Sequence, residues 1–293
     1  MKKPIFRGIA TALITPFYKN TTKIDYAEFK KLIDFQCKNS VSALVFLGTT
    51  GEASSLSEFE QIEVVKFAVS YVNKRVPVIV GCGTNSTRET IKKAILFESL
   101  GADALMVVTP YYNRPTQEGL YAHFSTVAKC VSLPIMLYNV PTRTGINMLP
   151  TTVARLAGIS NIVAVKEASG NMEQYLKIRK LAPEISLLSG EDSLLYSVLS
   201  IGGDGVVSVV SNILPKVTSE ICELYATEPK KALELQLKML PVIESLFSEP
   251  NPIPIKHAIE YVGIKGGGVR LPLTSPTKET KGKIKQSYEE FKI

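Results

Sequence analysis

The chain has 293 residues, 45% of them hydrophobic and 21% charged. That is enough for one large barrel or two ordinary domains, and too apolar for a disordered chain. The formal charge of +7 comes from lysines interleaved with acids along helix faces and in a tail at 278–283, and tryptophan is absent, so no nucleic-acid partner is expected.

Residues 1–7 are basic, but no long apolar stretch follows them. No membrane segment and a cytoplasmic location are therefore expected. Cys37, Cys82, Cys130 and Cys222 are scattered, and His123 lies far from His257. Neither a metal centre nor a serine-type triad fits that spacing.

In chain order, β-branched apolar runs occupy residues 11–17, 42–48, 76–83, 104–110, 134–141, 162–168, 185–190 and 205–210. Most are apolar at nearly every position, as strands buried on both faces of a parallel sheet are. The intervening segments carry helix signals. Asp25-x-x-Glu28, Ser57-x-x-Glu60, Ser86-x-x-Glu89 and Asn171-x-x-Gln174 fit capping boxes, in which two side chains satisfy each other's backbone donors. Beyond Ser57, Ile62, Val65, Val69 and Val72 recur at helical spacing, and Pro150 suits a first helical position, where its missing N–H costs nothing.

Strand–helix units of roughly 30 residues predict an α/β fold, a (β/α)8 TIM barrel. A doubly wound sheet usually carries a Gly-rich turn after its first strand, whereas this run ends in Thr15-Pro16-Phe17. Gly202-Gly203-Asp204-Gly205 precedes the last run and reads as a tight turn. Gly266-Gly267-Gly268 reads as a flexible connector. After Val210 the β signal stops, and residues 213–247, 255–262 and 276–291 read as helices. The expected organisation is a barrel over 1–225 with a helical extension, 226–293, packed on it.

Barrel active sites lie at the C-terminal ends of the strands. Four motifs fall there: GTTGE at 48–52, TPYYNRP at 109–115, YNVPTRTG at 138–145 and VKEASG at 165–170. Lys166 follows the apolar residues 162–165, and lysine is almost never buried without a partner or a purpose. Desolvation favours the neutral amine, the form that attacks a carbonyl. Lowering a lysine pKa from about 10.4 to neutrality costs roughly 4 kcal/mol. A structural alternative is an ion pair with Glu167 or Glu191. The Tyr138 hydroxyl is a candidate proton carrier, Thr49 and Thr50 stand on a Gly-flanked loop suited to a carboxylate, and Arg143 suits a bidentate carboxylate pair.

Taken together and in order, these motifs resemble the dihydrodipicolinate synthase family, whose wider group includes N-acetylneuraminate lyase. The likeness runs from GIATALITPF at 8–17 through the C-terminal helices. It implies that Lys166 forms an imine with pyruvate, and that the derived enamine attacks the aldehyde of aspartate semialdehyde. Cyclisation then gives a hydroxylated tetrahydrodipicolinate, with no cofactor or metal. Tyr138, Thr49 and Tyr112 would form a hydroxyl relay, with Tyr112 reaching into a neighbouring subunit. Thr50 would hold the pyruvate carboxylate, Arg143 that of the semialdehyde, and Gly190 and Val207 would line the pocket. A homotetramer built from tight dimers is also implied.

Arg143 favours the synthase over the alternative, a sialic acid lyase or 2-keto-3-deoxygluconate aldolase, because a neutral sugar aldehyde would leave a guanidinium unpaired. Asn85, Glu89 and Tyr111 resemble an allosteric lysine pocket. Glu58 and Gln61 stand where many lysine-inhibited members carry histidine, so weak or absent inhibition by lysine is expected.

Overall fold

The structure, a computed structural model, describes residues 2–19 and 21–292. Eight strands, β1 (Gly8–Ala12), β2 (Ala43–Phe46), β3 (Val78–Gly81), β4 (Ala104–Val108), β5 (Ile135–Asn139), β6 (Ile162–Glu167), β7 (Ser186–Ser189) and β8 (Gly205–Ser208), pair in parallel and in sequence order. Strand β8 returns to β1 and closes the TIM barrel.

Alternation along each strand decides what its side chains meet. Ala10, Val45, Ile79, Met106, Met136, Ala164, Leu188 and Val207 fill the interior. Their neighbours, such as Ile9, Leu44, Val80, Leu105, Val165 and Leu187, pack outward under the helices. Burial on both faces explains why the strands read as unbroken apolar runs.

The helical layer comprises α1 (Tyr26–Lys38), α2 (Glu58–Val72), α3 (Thr87–Ser99), α4 (Gln117–Lys129), the short α5 (Pro141–Thr144), α6 (Pro150–Ala157), α7 (Met172–Leu181) and α8 (Leu195–Ser200). Pro150 opens α6. Only Ser57 and Glu60 complete a reciprocal capping box. The other three caps bond the helix start, but Glu28, Glu89 and Gln174 turn away to Lys31, Lys92 and Glu167. The N–H of each of these caps is already taken, donating to Pro16 O, Thr84 Oγ1 and Ser169 Oγ respectively, so nothing is left for the side chain three residues on to satisfy.

Three expectations shift. The first strand is Gly8–Ala12 rather than 11–17. Residues 13–17 leave the ladder as a buried loop, in which Phe17 bridges Ile24, and a buried loop has the same apolar composition as a strand. The predicted helix 213–247 is two helices, α9 (Pro215–Tyr225) and α10 (Pro229–Leu246). Gly266-Gly267-Gly268 is packed rather than free: Phe17 N donates to Gly266 O at 3.1 Å, and a Cβ on Gly267 would sit 1.6 Å from Phe17 O. The turn at 202–205 is as expected, with a Cβ on Gly205 blocked by Gly8 O at 1.8 Å.

Helix α9 follows β8 as the last barrel helix. Then α10 packs on α9 and on α12 (Lys278–Lys292), with α11 (Ile253–Ala258) between α10 and α12 in the chain. Among the described residues no helix is long and apolar enough to cross a membrane.

Candidate active site

A cavity of about 490 Å³ opens at the C-terminal ends of the strands, lined by residues from seven of the eight strand ends and roofed by Leu240, Ile243 and Phe247 at the end of α10. A larger depression, about 650 Å³, lies at the opposite end around Lys2, Lys74 and Asp103, away from every strand C-terminus.

Lys166 shares the inward face of β6 with Ala164, so its side chain enters the cavity, and the residue is 6% exposed. Its Nζ lies 4.1 Å from the centroid of the Tyr138 ring. Glu167 takes the opposite face, beneath α7. There it accepts from Asn139 Nδ2, Gln174 Nε2 and Ser169 N, and burial raises its carboxyl above the usual range. Alternation thus removes the proposed Lys166–Glu167 pair. Gly190 makes room for the amine's stem, since a Cβ there would lie 2.6 Å from Ala168 Cβ and 3.1 Å from Lys166 Cε.

Across the mouth, Thr49 and Thr50 line the cavity on the loop after β2. Thr50 Oγ1 accepts from Asn251 Nδ2 at 2.9 Å, and Asn251 O accepts from Arg143 Nη2 at 3.1 Å. Asn251 therefore joins the two residues expected to hold carboxylates. Arg143 is exposed at the rim rather than buried, so the cost of leaving its guanidinium unpaired is lower than burial would impose.

The Thr49–Thr50 loop is anchored by Glu52, which adopts φ +53. Its carboxylate accepts from Lys256 Nζ at 2.6 Å and from Arg270 N at 2.9 Å. Both side chains of the Glu52–Lys256 pair are almost wholly buried. The Lys256 ammonium also lies 3.7 Å from the centroid of Phe17. Burial outweighs the attraction of Glu52 and lowers the Lys256 pKa to about 8.

Of the residues singled out from sequence, Lys166, Tyr138, Thr49, Thr50, Arg143 and Gly190 share this cavity. Val207 lies deeper inside the barrel, and Val209 lines the cavity instead. Tyr112 is 90% exposed with φ +71 and does not line it. A second cavity of about 350 Å³ shares Gly48, Thr49, Met106 and Tyr138 with the first and includes Tyr111, Gln61 and Lys93, but not Asn85 or Glu89. Asn85 O accepts from Asn113 Nδ2, and Glu89 pairs with Lys92.

Sequence reasoning missed Asp192, Glu244 and Asn251, and weighed Glu191 only as an ion-pair partner of Lys166; all four line the main cavity. Glu191 and Asp192 directly follow β7 and were visible there as strand-end residues, whereas Glu244 lies on α10. Asn251 gave no signal, because its place depends on how α10 crosses the barrel. Among the described residues no three His, Cys, Asp or Glu side chains group as metal ligands.

The model of the Dihydrodipicolinate synthetase family matches residues 5–290. The chain is 45% identical over 291 residues to a 4-hydroxy-tetrahydrodipicolinate synthase of Caldicellulosiruptor saccharolyticus, covering 99% of this chain and 98% of that one. It is 47% identical to one from Clostridium perfringens strain SM101, covering 92% of each chain. Among solved structures, a dihydrodipicolinate synthase from Thermotoga maritima superposes with a TM-score of 0.96 at 40% identity, covering 98% of this chain and 99% of that one.

Proposed function

Since the chain belongs to the dihydrodipicolinate synthetase family, we propose that its main cavity condenses pyruvate with aspartate semialdehyde through an imine on Lys166. The product is 4-hydroxy-tetrahydrodipicolinate, formed in a step of diaminopimelate and lysine biosynthesis. The observation that carries the assignment is the amine of Lys166, inside the barrel and beside the Tyr138 ring.

Lys166 attacks C2 of pyruvate as the free amine, and water leaves as the imine forms. Loss of a methyl proton gives the enamine, whose carbon attacks the semialdehyde carbonyl. The substrate amine then closes on C2 and displaces Lys166. No cofactor enters this scheme, because the protonated imine is the electron sink.

Tyr138 and Thr49 carry protons at the mouth. Thr50 receives the pyruvate carboxylate, and Arg143 that of the semialdehyde. Gly190 supports the reading sterically, since it leaves Lys166 its path. Tyr112, being exposed, joins the relay only from a neighbouring subunit. A dimer therefore completes each site, and two dimers make a tetramer. Among the solved relatives, one is described as a monomeric variant, so assembly varies within the family. The enzyme works in the cytoplasm on soluble metabolites.

The test is intact-protein mass spectrometry after borohydride treatment with pyruvate, comparing wild type with Lys166→Ala. A pyruvate-derived mass increase in wild type alone is expected. No adduct on folded wild type would overturn the scheme.

A further inference from the structure

Thr49 and Thr50 stand on a loop, residues 48–51, with backbone strain at both of its ends. Leu47 before it and Glu52 after it each adopt φ +53, a left-handed conformation that residues with a Cβ enter only at a cost. Such conformations persist where the surroundings over-determine them. Leu47 is buried in the core and closely approached by Gly81 of β3, where a Cβ would lie 2.3 Å from Leu47 O.

Glu52 is held instead by residues encoded after α10. Its carboxylate accepts from Lys256 Nζ on α11 and from Arg270 N, and the two side chains of the ion pair are 2% and 1% exposed. The same stretch of chain grips the cavity side of the loop, where Asn251 Nδ2 donates to Thr50 Oγ1 at 2.9 Å. Between the two grips, Thr15 Oγ1 donates to Gly51 O at 2.7 Å and Glu52 N donates to Thr49 O at 3.0 Å. Residues 251–256 thus hold the loop at both ends, and of the pair, neither Glu52 nor Lys256 lines the cavity.

A buried ion pair adds little stability that well-packed apolar side chains of the same volume would not supply. What it adds is direction. Apolar contacts tolerate small shifts of the backbone, whereas an ammonium and an N–H that both meet one carboxylate fix where residue 52 must stand.

Resting on the synthase reading, we propose that Glu52 and Lys256 are positioning residues for pyruvate capture, their ion pair holding residue 52 in its left-handed conformation and so presenting Thr50 to the pyruvate carboxylate. Without the pair the loop spreads over several conformations, and the apparent affinity for pyruvate falls with the competent fraction. Saturating pyruvate selects that fraction again. The loss therefore falls on KM for pyruvate and spares kcat.

The test compares wild type with Glu52→Asp and with the double variant Glu52→Gln, Lys256→Met. The double variant removes both charges, and its amide oxygen can still accept from Arg270 N. Glu52→Asp keeps both charges but shortens the reach by one methylene. Denaturant melts establish that each preparation is folded. In the double variant, KM for pyruvate and the pyruvate concentration that half-saturates borohydride trapping are expected to rise about tenfold or more. Glu52→Asp should shift both in the same direction, and kcat at saturating pyruvate should stay within about threefold of wild type.

A folded double variant with the wild-type KM for pyruvate would overturn the proposal, because the pair would then support the fold alone. A fall in kcat at unchanged KM would overturn it equally. Should the double variant not fold, Glu52→Asp decides: a raised KM for pyruvate upholds the proposal and an unchanged one overturns it. Wild type without a pyruvate adduct sinks the synthase reading itself, whereas a normal wild-type adduct with unshifted half-saturation in the variants sinks only the role of the pair.

Discussion

Tyr138 and Lys166 are Cα partners across β5 and β6, and the lysine Nζ lies 4.1 Å from the centroid of the tyrosine ring. One strand pairing thus sets the amine against an aromatic face and brings a hydroxyl to the same mouth. Tyr138→Phe keeps the ring and removes only the hydroxyl. Expected is a fall in kcat of about 10²-fold or more, the scale of a lost general acid–base group. Pyruvate should still be trapped by borohydride, only more slowly. An unchanged kcat would remove Tyr138 from the proton path.

Gly190→Ala puts a methyl group 2.6 Å from Ala168 Cβ and 3.1 Å from Lys166 Cε. Overpacking of this kind costs about 1–3 kcal/mol, and displacing the amine stem adds a kinetic cost. The rate of imine trapping with pyruvate should fall about tenfold or more. A variant that traps pyruvate at the wild-type rate would show that Lys166 reaches its substrate by another path.

Gln61 has both ends of its amide engaged. Its Nε2 donates to Ala53 O and Leu56 O, and its Oε1 accepts from Lys93 Nζ at 2.9 Å. The Lys93 ammonium stands in the second cavity with Tyr111, where it repels another cation. Millimolar lysine should therefore leave the steady-state rate nearly unchanged. Strong inhibition would show that the cavity rearranges to admit lysine.

Breaking the buried Glu52–Lys256 pair strands a charge. Lys256→Met should destabilise the fold by about 3–5 kcal/mol, and the double variant with Glu52→Gln should recover much of that loss. Denaturant melts of the two single variants and the double close the cycle. Additive losses would mean that the two side chains do not act as a pair.

His123 is buried on α4, where Nδ1 meets Thr87 Oγ1 at 2.9 Å and Nε2 has no partner among the described residues. Burial lowers its pKa from 6.5 to about 4. Between those values the unfolded chain holds a proton on this ring that the folded chain does not. Stability therefore falls as the pH drops through the window, by an amount on the order of 3 kcal/mol. Thermal melts at pH 7 and pH 4.5 should show this slope in wild type and a flatter one in His123→Gln.

Much of the fold was readable because most strands are apolar on both faces and strand–helix units repeat eight times along the chain. The slip at β1 has the same origin, since residues 13–17 are buried beneath Gly266 as thoroughly as any strand. Lys166 stood out as a lone charge in an apolar run, and alternation alone already set Glu167 on the other face. Asp192 sat in plain view after β7, but its buried bonds from Val209 N and Val210 N are revealed only by packing. Asn251 was illegible because its meeting with Thr50 and Arg143 spans distant parts of the chain.

The roof over Lys166, from Leu240 through Asn251, is encoded after the last strand of the barrel. A ribosome thus completes the amine and its strand neighbours before it makes the segment that covers them. At ordinary elongation speeds the uncovered interval is on the order of seconds. During it nothing yet made of the chain covers the amine.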